Sequence, residues 1–221
     1  MRKFLCVSAI LMFTTLSAQN DATNRLIIEK GTWYLGGNVS FGFSGSKFNG
    51  LDRDFTNESQ STNITITPTI GHAFGNNWIA ALGIGYGYNR SENSSMSAGE
   101  RNDYEGTGQS LSFDPMVRSY FGVGENLALY LQGQASYTKT WFDQEQSNQA
   151  NLSDKNNFVF VGIRPGITFF IAPKFALETT FGSLGYTKSI IEDNAGNGIE
   201  RDSLALSFST SDLFFGLSYY F

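Results

Sequence analysis

The chain of 221 residues has one cysteine, one histidine and four prolines. Only 16% of its residues are charged, against about a quarter in an average soluble protein. The single cysteine, Cys6, lies inside an apolar leader, so the remainder has no thiol to form a disulfide or do chemistry. One histidine and no further cysteine leave no transition-metal ligand set. Low charge together with many aromatics excludes a disordered chain. A net charge of −5 gives no electrostatic reason to expect nucleic acid. Apolar stretches such as Trp78 to Leu82 are far shorter than the roughly 20 residues of a spanning helix. What the chain does have is 24 glycines, 20 phenylalanines, 10 tyrosines and 3 tryptophans, a composition suited to β structure.

The first residues read as an export signal. Arg2 and Lys3 form a basic start, Phe4 to Leu16 an apolar core, and Ser17, Ala18 and Gln19 a small-residue cleavage zone. Residues 1–19 are therefore expected to be a cleaved signal peptide, 20–32 a short N-terminal segment, and 33–221 the folded domain. Removing Arg2 and Lys3 leaves 13 basic against 20 acidic residues, a net charge of −7.

Eight segments alternate apolar and small or polar residues with period two, the mark of a half-buried strand. They run Trp33–Phe43, Ile64–Phe74, Trp78–Tyr88, Leu111–Phe121, Leu127–Trp141, Val159–Ile171, Phe175–Tyr186, and a last one ending at Phe221. The seventh loses phase at Leu184. In the last, Leu204, Leu206 and Phe208 are out of phase with Leu213, Phe215, Leu217, Tyr219 and Phe221, which predicts a bulge near Ser209 to Ser211. One face carries Phe, Leu, Ile and Trp; the other carries Gly, Ser, Thr, Gln and a few charges. A soluble barrel would have to present the second face as its surface, with hardly any Lys or Glu on it. The interior of an eight-stranded membrane barrel, just wide enough for side chains, fits that face better.

The connections agree. Those after segments two, four and six are tiny; those after one, three, five and seven are long, polar and rich in Ser and Asn. The long ones hold 7 basic and 14 acidic residues. Short turns at one end and long acidic loops at the other form the outer-membrane pattern, and the loops are expected to be flexible surface chain.

A repeat of about 48 residues is visible. Pro68, Pro115 and Pro165 each stand six residues before the last strand residue, Phe74, Phe121 and Ile171. After the turns come Asn126-Leu127-Ala128-Leu129 and Lys174-Phe175-Ala176-Leu177. A mid-strand proline runs against the usual rule, because it deletes a ladder hydrogen bond. On these motifs the chain resembles the small outer-membrane β-barrel domain family common in Bacteroidetes, related in architecture to the OmpX and OmpA transmembrane barrels. The resemblance covers Trp33 to Phe221. It implies an all-β, eight-stranded antiparallel up-and-down barrel in a Gram-negative outer membrane, with periplasmic termini and surface loops. It also implies surrounding outer-membrane lipid and lipopolysaccharide, a monomer, and no catalytic residue or cofactor to carry over.

Three residue sets stand out. Asp114, Arg118, Arg164, Glu178 and Asp212 fall in the inward phase, where single charges are costly and should pair. Arg164 and Glu178, on neighbouring strands, are the expected pair, with Asp212 competing for Arg164. Trp33, Trp78 and Trp141 lie in the outward phase and are expected at the membrane boundaries. The alternating tail Leu213, Phe215, Leu217, Tyr219 and Phe221 resembles the signal read by the barrel-assembly machinery. His72, outward and near a turn, reads as an interface aromatic, since no Ser and carboxylate share its face. The expected function is a non-enzymatic barrel with a plugged lumen and four acidic surface loops. The alternative is a narrow porin-like channel, and a lipid-modifying enzyme comes third. No loop ligand is readable.

Overall fold

The computed structural model describes residues 25–49, 55–97, 100–146, 152–192, 198–207 and 214–221. Ten strands follow in chain order: β1 (Trp33–Asn49), β2 (Phe55–Gly75), β3 (Trp78–Ser97), β4 (Glu100–Gly122), β5 (Leu127–Gln146), β6 (Leu152–Ala172), β7 (Phe175–Thr180), β8 (Ser183–Glu192), β9 (Gly198–Ser207) and β10 (Phe214–Tyr220). Each pairs antiparallel with its neighbours, β1 with β10 and β5 with β6, so the sheet closes on itself. β7 and β8 together occupy the seventh wall position, β9 and β10 the eighth, giving a closed eight-stranded barrel.

Burial is the reverse of a soluble protein's. Phe41, Phe43 and Val39 are 71%, 68% and 67% exposed, whereas Asp114, Arg118, Gln132 and Glu178 are buried. The greasy phase of β2 to β7 faces out and the small-polar phase faces in, as the alternation predicts, whereas β9 is exposed on both faces.

The phase loss in the seventh segment has a local cause. The chain leaves the sheet at Phe181–Gly182, and Gly182 adopts φ 75°, which an L side chain rarely tolerates. Before the break Phe175 and Leu177 face out; after it Leu184 and Tyr186 do. The bulge expected near Ser209 to Ser211 lies outside the described residues.

Where they are described, the long polar connections are strand. β1 to β6 run 17 to 23 residues, where about 9–11 suffice to cross a bilayer. The Ser/Asn-rich stretches continue the same ladders: Ser44 to Asn49 pair with Ser61 to Thr56, and Ser91 to Ser97 with Gly106 to Glu100. Alternation stops there because both faces meet water, while strand pairing persists.

The mid-strand prolines fall at gaps in the ladder. Between β2 and β3 the rungs stop at Ile66↔Tyr86 and resume at Thr69↔Gly83, leaving out Pro68. Between β4 and β5 they skip from Phe113↔Tyr137 to Met116↔Gln134, leaving out Pro115. Pro165 faces the break between β7 and β8, and its carbonyl accepts from the Phe181 amide at 3.1 Å. On the other side each proline keeps its partner: Gly37, Leu82 and Leu131. The missing N–H thus points where no acceptor is aligned.

Candidate functional site: the barrel lumen

Residues 25–32 and a buried ring cluster meet at the short-turn end. Residues 25–32 lie across it. The Leu26 amide donates to the Gly124 carbonyl, and the Ile28 amide to Asn77 Oδ1, both at 2.8 Å. The Asn77 amide returns a bond to the Ile28 carbonyl at 2.8 Å, and Ala73 exchanges two 2.8 Å bonds with Gly31 and Thr32. Asn77 itself sits at φ 64°, a left-handed turn conformation that asparagine tolerates. Ile28 is buried against an apolar cluster that includes Tyr34, Ala73, Ile79, Tyr120, Tyr130, Phe170 and Tyr220.

Above that cluster lies the charged layer. Arg118 Nη1 meets Glu178 Oε2 at 2.6 Å, with both side chains under 10% exposed. Tyr34 donates to Glu178 Oε2 at 2.9 Å, and Tyr220 to Oε1 at 2.6 Å. Arg118 Nε donates to Gln132 Oε1 at 2.6 Å, and its guanidinium lies over the Tyr130 ring at 4.6 Å. Both Glu178 oxygens and the Nε and Nη1 of Arg118 have partners, and such hydrogen bonding is what makes a buried ion pair tolerable. The amide chain continues from Gln132 to Gln134 at 2.7 Å and on to Ser136 at 2.6 Å.

Beyond this layer the lumen widens into a cavity of about 280 Å³, lined by Thr65, Thr67, Thr69, Asp114, Gln134 and Arg164 among others. Asp114 accepts from the Ser112 hydroxyl at 2.6 Å and from Gln134 at 3.4 Å. Arg164 holds its guanidinium 4.7 Å from the Phe160 ring centroid.

The ion pair expected between Arg164 and Glu178 is made instead by Arg118. The register explains it. Glu178 stands opposite Thr168 on β6, four residues along from Arg164, or about 13 Å. Arg118 reaches Glu178 across the lumen. Asp212 and Leu213 lie outside the described residues. Phe215 lies in β10, while Leu217 and Phe221 are exposed on the outer face, with Tyr219 stacked between Phe175 and Phe221. Trp33 and Trp78 are half-exposed near the short turns, Trp33 edge-on to His72 at 5.0 Å. Trp141 stands well up β5, opposite Gln109 and Lys155, under the Lys139 ammonium. The four lumen tyrosines and the 25–32 segment were missed as site components. The inward phase that Tyr34, Tyr120, Tyr130 and Tyr220 share is their signal in the sequence.

The long hairpins carry their own ion pairs. Arg90 bridges Glu92 and Glu105, each at 2.9 Å. Arg101 bonds Asp103 at 2.9 Å and holds that carboxyl below its usual range.

A family model described as "Outer membrane protein beta-barrel domain" matches residues 6–221. The chain belongs to this family. This outer-membrane barrel has no match among curated proteins. Three solved structures are similar to it in fold. Neisserial surface protein A shows 15% identity, covering 87% of this chain and 100% of that one, with a TM-score of 0.37. A major outer membrane protein from Thermus thermophilus shows 12% identity over 86% and 99%, TM-score 0.43. OprG from Pseudomonas aeruginosa shows 13% identity over 87% and 97%, TM-score 0.44.

Proposed function

We propose that this outer-membrane barrel is a non-enzymatic, non-conducting surface protein. Its lumen is sealed toward the periplasm, and its four acidic hairpins stand on the cell surface as a rigid crown. The observation that carries this reading is the Arg118–Glu178 layer, held by Tyr34, Tyr220 and Gln132 and backed by the buried ring cluster and the 25–32 segment. An eight-stranded barrel is narrow enough for side chains to fill, and here they meet across it. The lengths of β1 to β6 support the crown, since 17 to 23 residues exceed the about 9–11 that the bilayer needs.

In this reading the chain is exported by its leader, inserted by the barrel-assembly machinery through its aromatic tail, and sits as a monomer among outer-membrane lipid and lipopolysaccharide. Trp33 and Trp78 mark the periplasmic boundary and Trp141 the outer one. The test is conductance of the purified barrel in a planar bilayer. The reading expects no ohmic current above the bare membrane. Steady ohmic conductance overturns the seal and establishes a narrow channel.

A further inference from the structure

The outer hairpins sort their side chains by charge. The registers from β1 to β6, and from β6 through β8 to β9, hold constant to the hairpin ends. The inward and outward phases of the barrel wall therefore continue into the crown. Lys47, Glu58, Arg90, Glu92 and Glu105 stand in the outward phase and pair with one another there. The described inward-phase residues of the hairpins include only three charges, Glu100, Asp154 and Arg201. The others are Ser, Thr, Asn, Gln and Gly, with a few aliphatic residues and aromatic rings.

Two of those rings lie on glycines of β4. A Cβ on Gly108 would stand 3.1 Å from two carbons of the Phe142 ring, and one on Gly106 would stand 3.2 Å from the Tyr104 hydroxyl. Phe142 is the rung partner of Gly108 on β5. Gly106 and Gly108 are buried, whereas Tyr104 and Phe142 are only half-buried, the sheet covering one side of each ring. Polar groups surround the rings. Asn89, the rung partner of Gly108 on β3, donates to Asn63 Oδ1. Gln144 follows Phe142 on the inward phase of β5, and Asp154 faces Phe142 from β6. Among the described residues no hydrogen bond engages the Tyr104 hydroxyl, the Gln144 amide or the Asp154 carboxylate.

We propose that the inner face of the crown, from β3 to β6, binds a neutral oligosaccharide outside the cell, seated on the Tyr104 and Phe142 rings. The C–H bonds of a pyranose are weakly positive and stack on the negative face of an aromatic ring. Its hydroxyls donate and accept at once, as the Asn, Gln and Tyr side chains here can in return. A peptide strand has no edge to join, because these strands already pair on both sides. Asp154 accepts from sugar hydroxyls and repels a sulfated or sialylated chain, and Arg201 stands two wall positions away on β9. The inference rests on the surface-protein reading. A conducting lumen would leave it standing, since Phe142 lies ten residues along β5 from Gln132 in the charged layer, about 33 Å.

The test applies the leaderless chain, refolded in a zwitterionic detergent without sugar, to immobilised maltohexaose, cellohexaose, chitohexaose, mannohexaose and xylohexaose. Heparin and sialyllactose are the anionic controls. Binding to at least one neutral sugar is expected, displaced by the same sugar in solution and indifferent to salt, because no charge pair is formed. Phe142→Ala and Tyr104→Ala should each weaken it about tenfold. Glu92→Gln, on the outer face, should leave it unchanged. Heat-modified gel mobility shows which variants have refolded. Gln144→Ala removes no ring and should also weaken binding, which covers a failure of Phe142→Ala to fold. Retention of none of the neutral sugars, a preference for heparin or sialyllactose, or binding that survives all three inner-face changes overturns the proposal. Binding lost in salt or in Glu92→Gln belongs to the charged outer face and overturns it too.

Discussion

Arg118 and Glu178 make their 2.6 Å contact from β4 and β7, strands with two others between them on the wall. The pair is thus a tie across the lumen and not a rung within the sheet. It also gathers hydroxyls from β1 and β10 through Tyr34 and Tyr220. One ion pair thereby links four wall positions, including the β1–β10 seam where the barrel closes.

Breaking the tie from one side should be severe. Glu178→Gln or Arg118→Gln leaves a buried, unpaired charge, at a cost of about 3–5 kcal/mol. The double change Arg118→Gln with Glu178→Gln should recover part of that loss, because no charge is then stranded. Arg164→Gln should recover none of it. Urea unfolding in lipid vesicles reads all four variants, and rescue by Arg164→Gln in place of Arg118→Gln would reassign the pair.

The outward face should reject charge and the lumen should accept it. Leu131 and Ile163 are 43% and 41% exposed on the outer face, whereas Thr65 lines the open cavity. Arginine at either of the first two should cost about 2–4 kcal/mol if the site lies near the midplane. Thr65→Arg can extend into water and should cost far less. The same unfolding assay measures both, and comparable losses at Leu131 and Thr65 would contradict the inside-out assignment.

The inward set Asp114, Arg118 and Glu178 was legible from period two alone, because each strand needs only its own residues to show which face is which. Which charges meet was not. Arg164 and Glu178 sit on adjacent strands, yet barrel shear offsets them by four residues. Shear is a property of closure, and no local pattern carries it. The outer hairpins were illegible for the opposite reason. From Ser44 to Asn49 and from Ser91 to Ser97 both faces are wet, so the alternation that reveals a strand disappears while the ladder continues. The mid-strand prolines were visible, but their reason lies on the facing strands, in the missing rungs.

The 25–32 segment should be held by one side chain more than by any other. Asn77 accepts from the Ile28 amide through Oδ1 and returns a backbone bond at 2.8 Å. Asn77→Gly keeps the left-handed turn, since glycine adopts φ 64° freely, and removes only the side-chain acceptor. Hydrogen exchange at the Ile28 amide should quicken while amides in β2 and β3 keep their protection. An unchanged Ile28 amide would mean that apolar burial alone pins the segment.

Proline tolerance should follow the ladder gaps. Pro115 stands where the β4–β5 rungs are absent, while Val117, two residues on, is paired with both Ala80 and Gly133. Pro115→Ala restores an N–H with no aligned acceptor and relaxes the unfolded chain. That orphaned donor has no water to turn to in lipid and should cost about 1–3 kcal/mol, without added ring strain. Val117→Pro removes a donor from an intact ladder, and in lipid the partner carbonyl has no water to turn to. That substitution should cost about 1–3 kcal/mol for the orphaned carbonyl, with added steric strain from the ring. One pair of refolding titrations reads both variants. If Val117→Pro proves as mild as Pro115→Ala, the gaps are not what permits the prolines, and their recurrence at every second strand needs another physical cause.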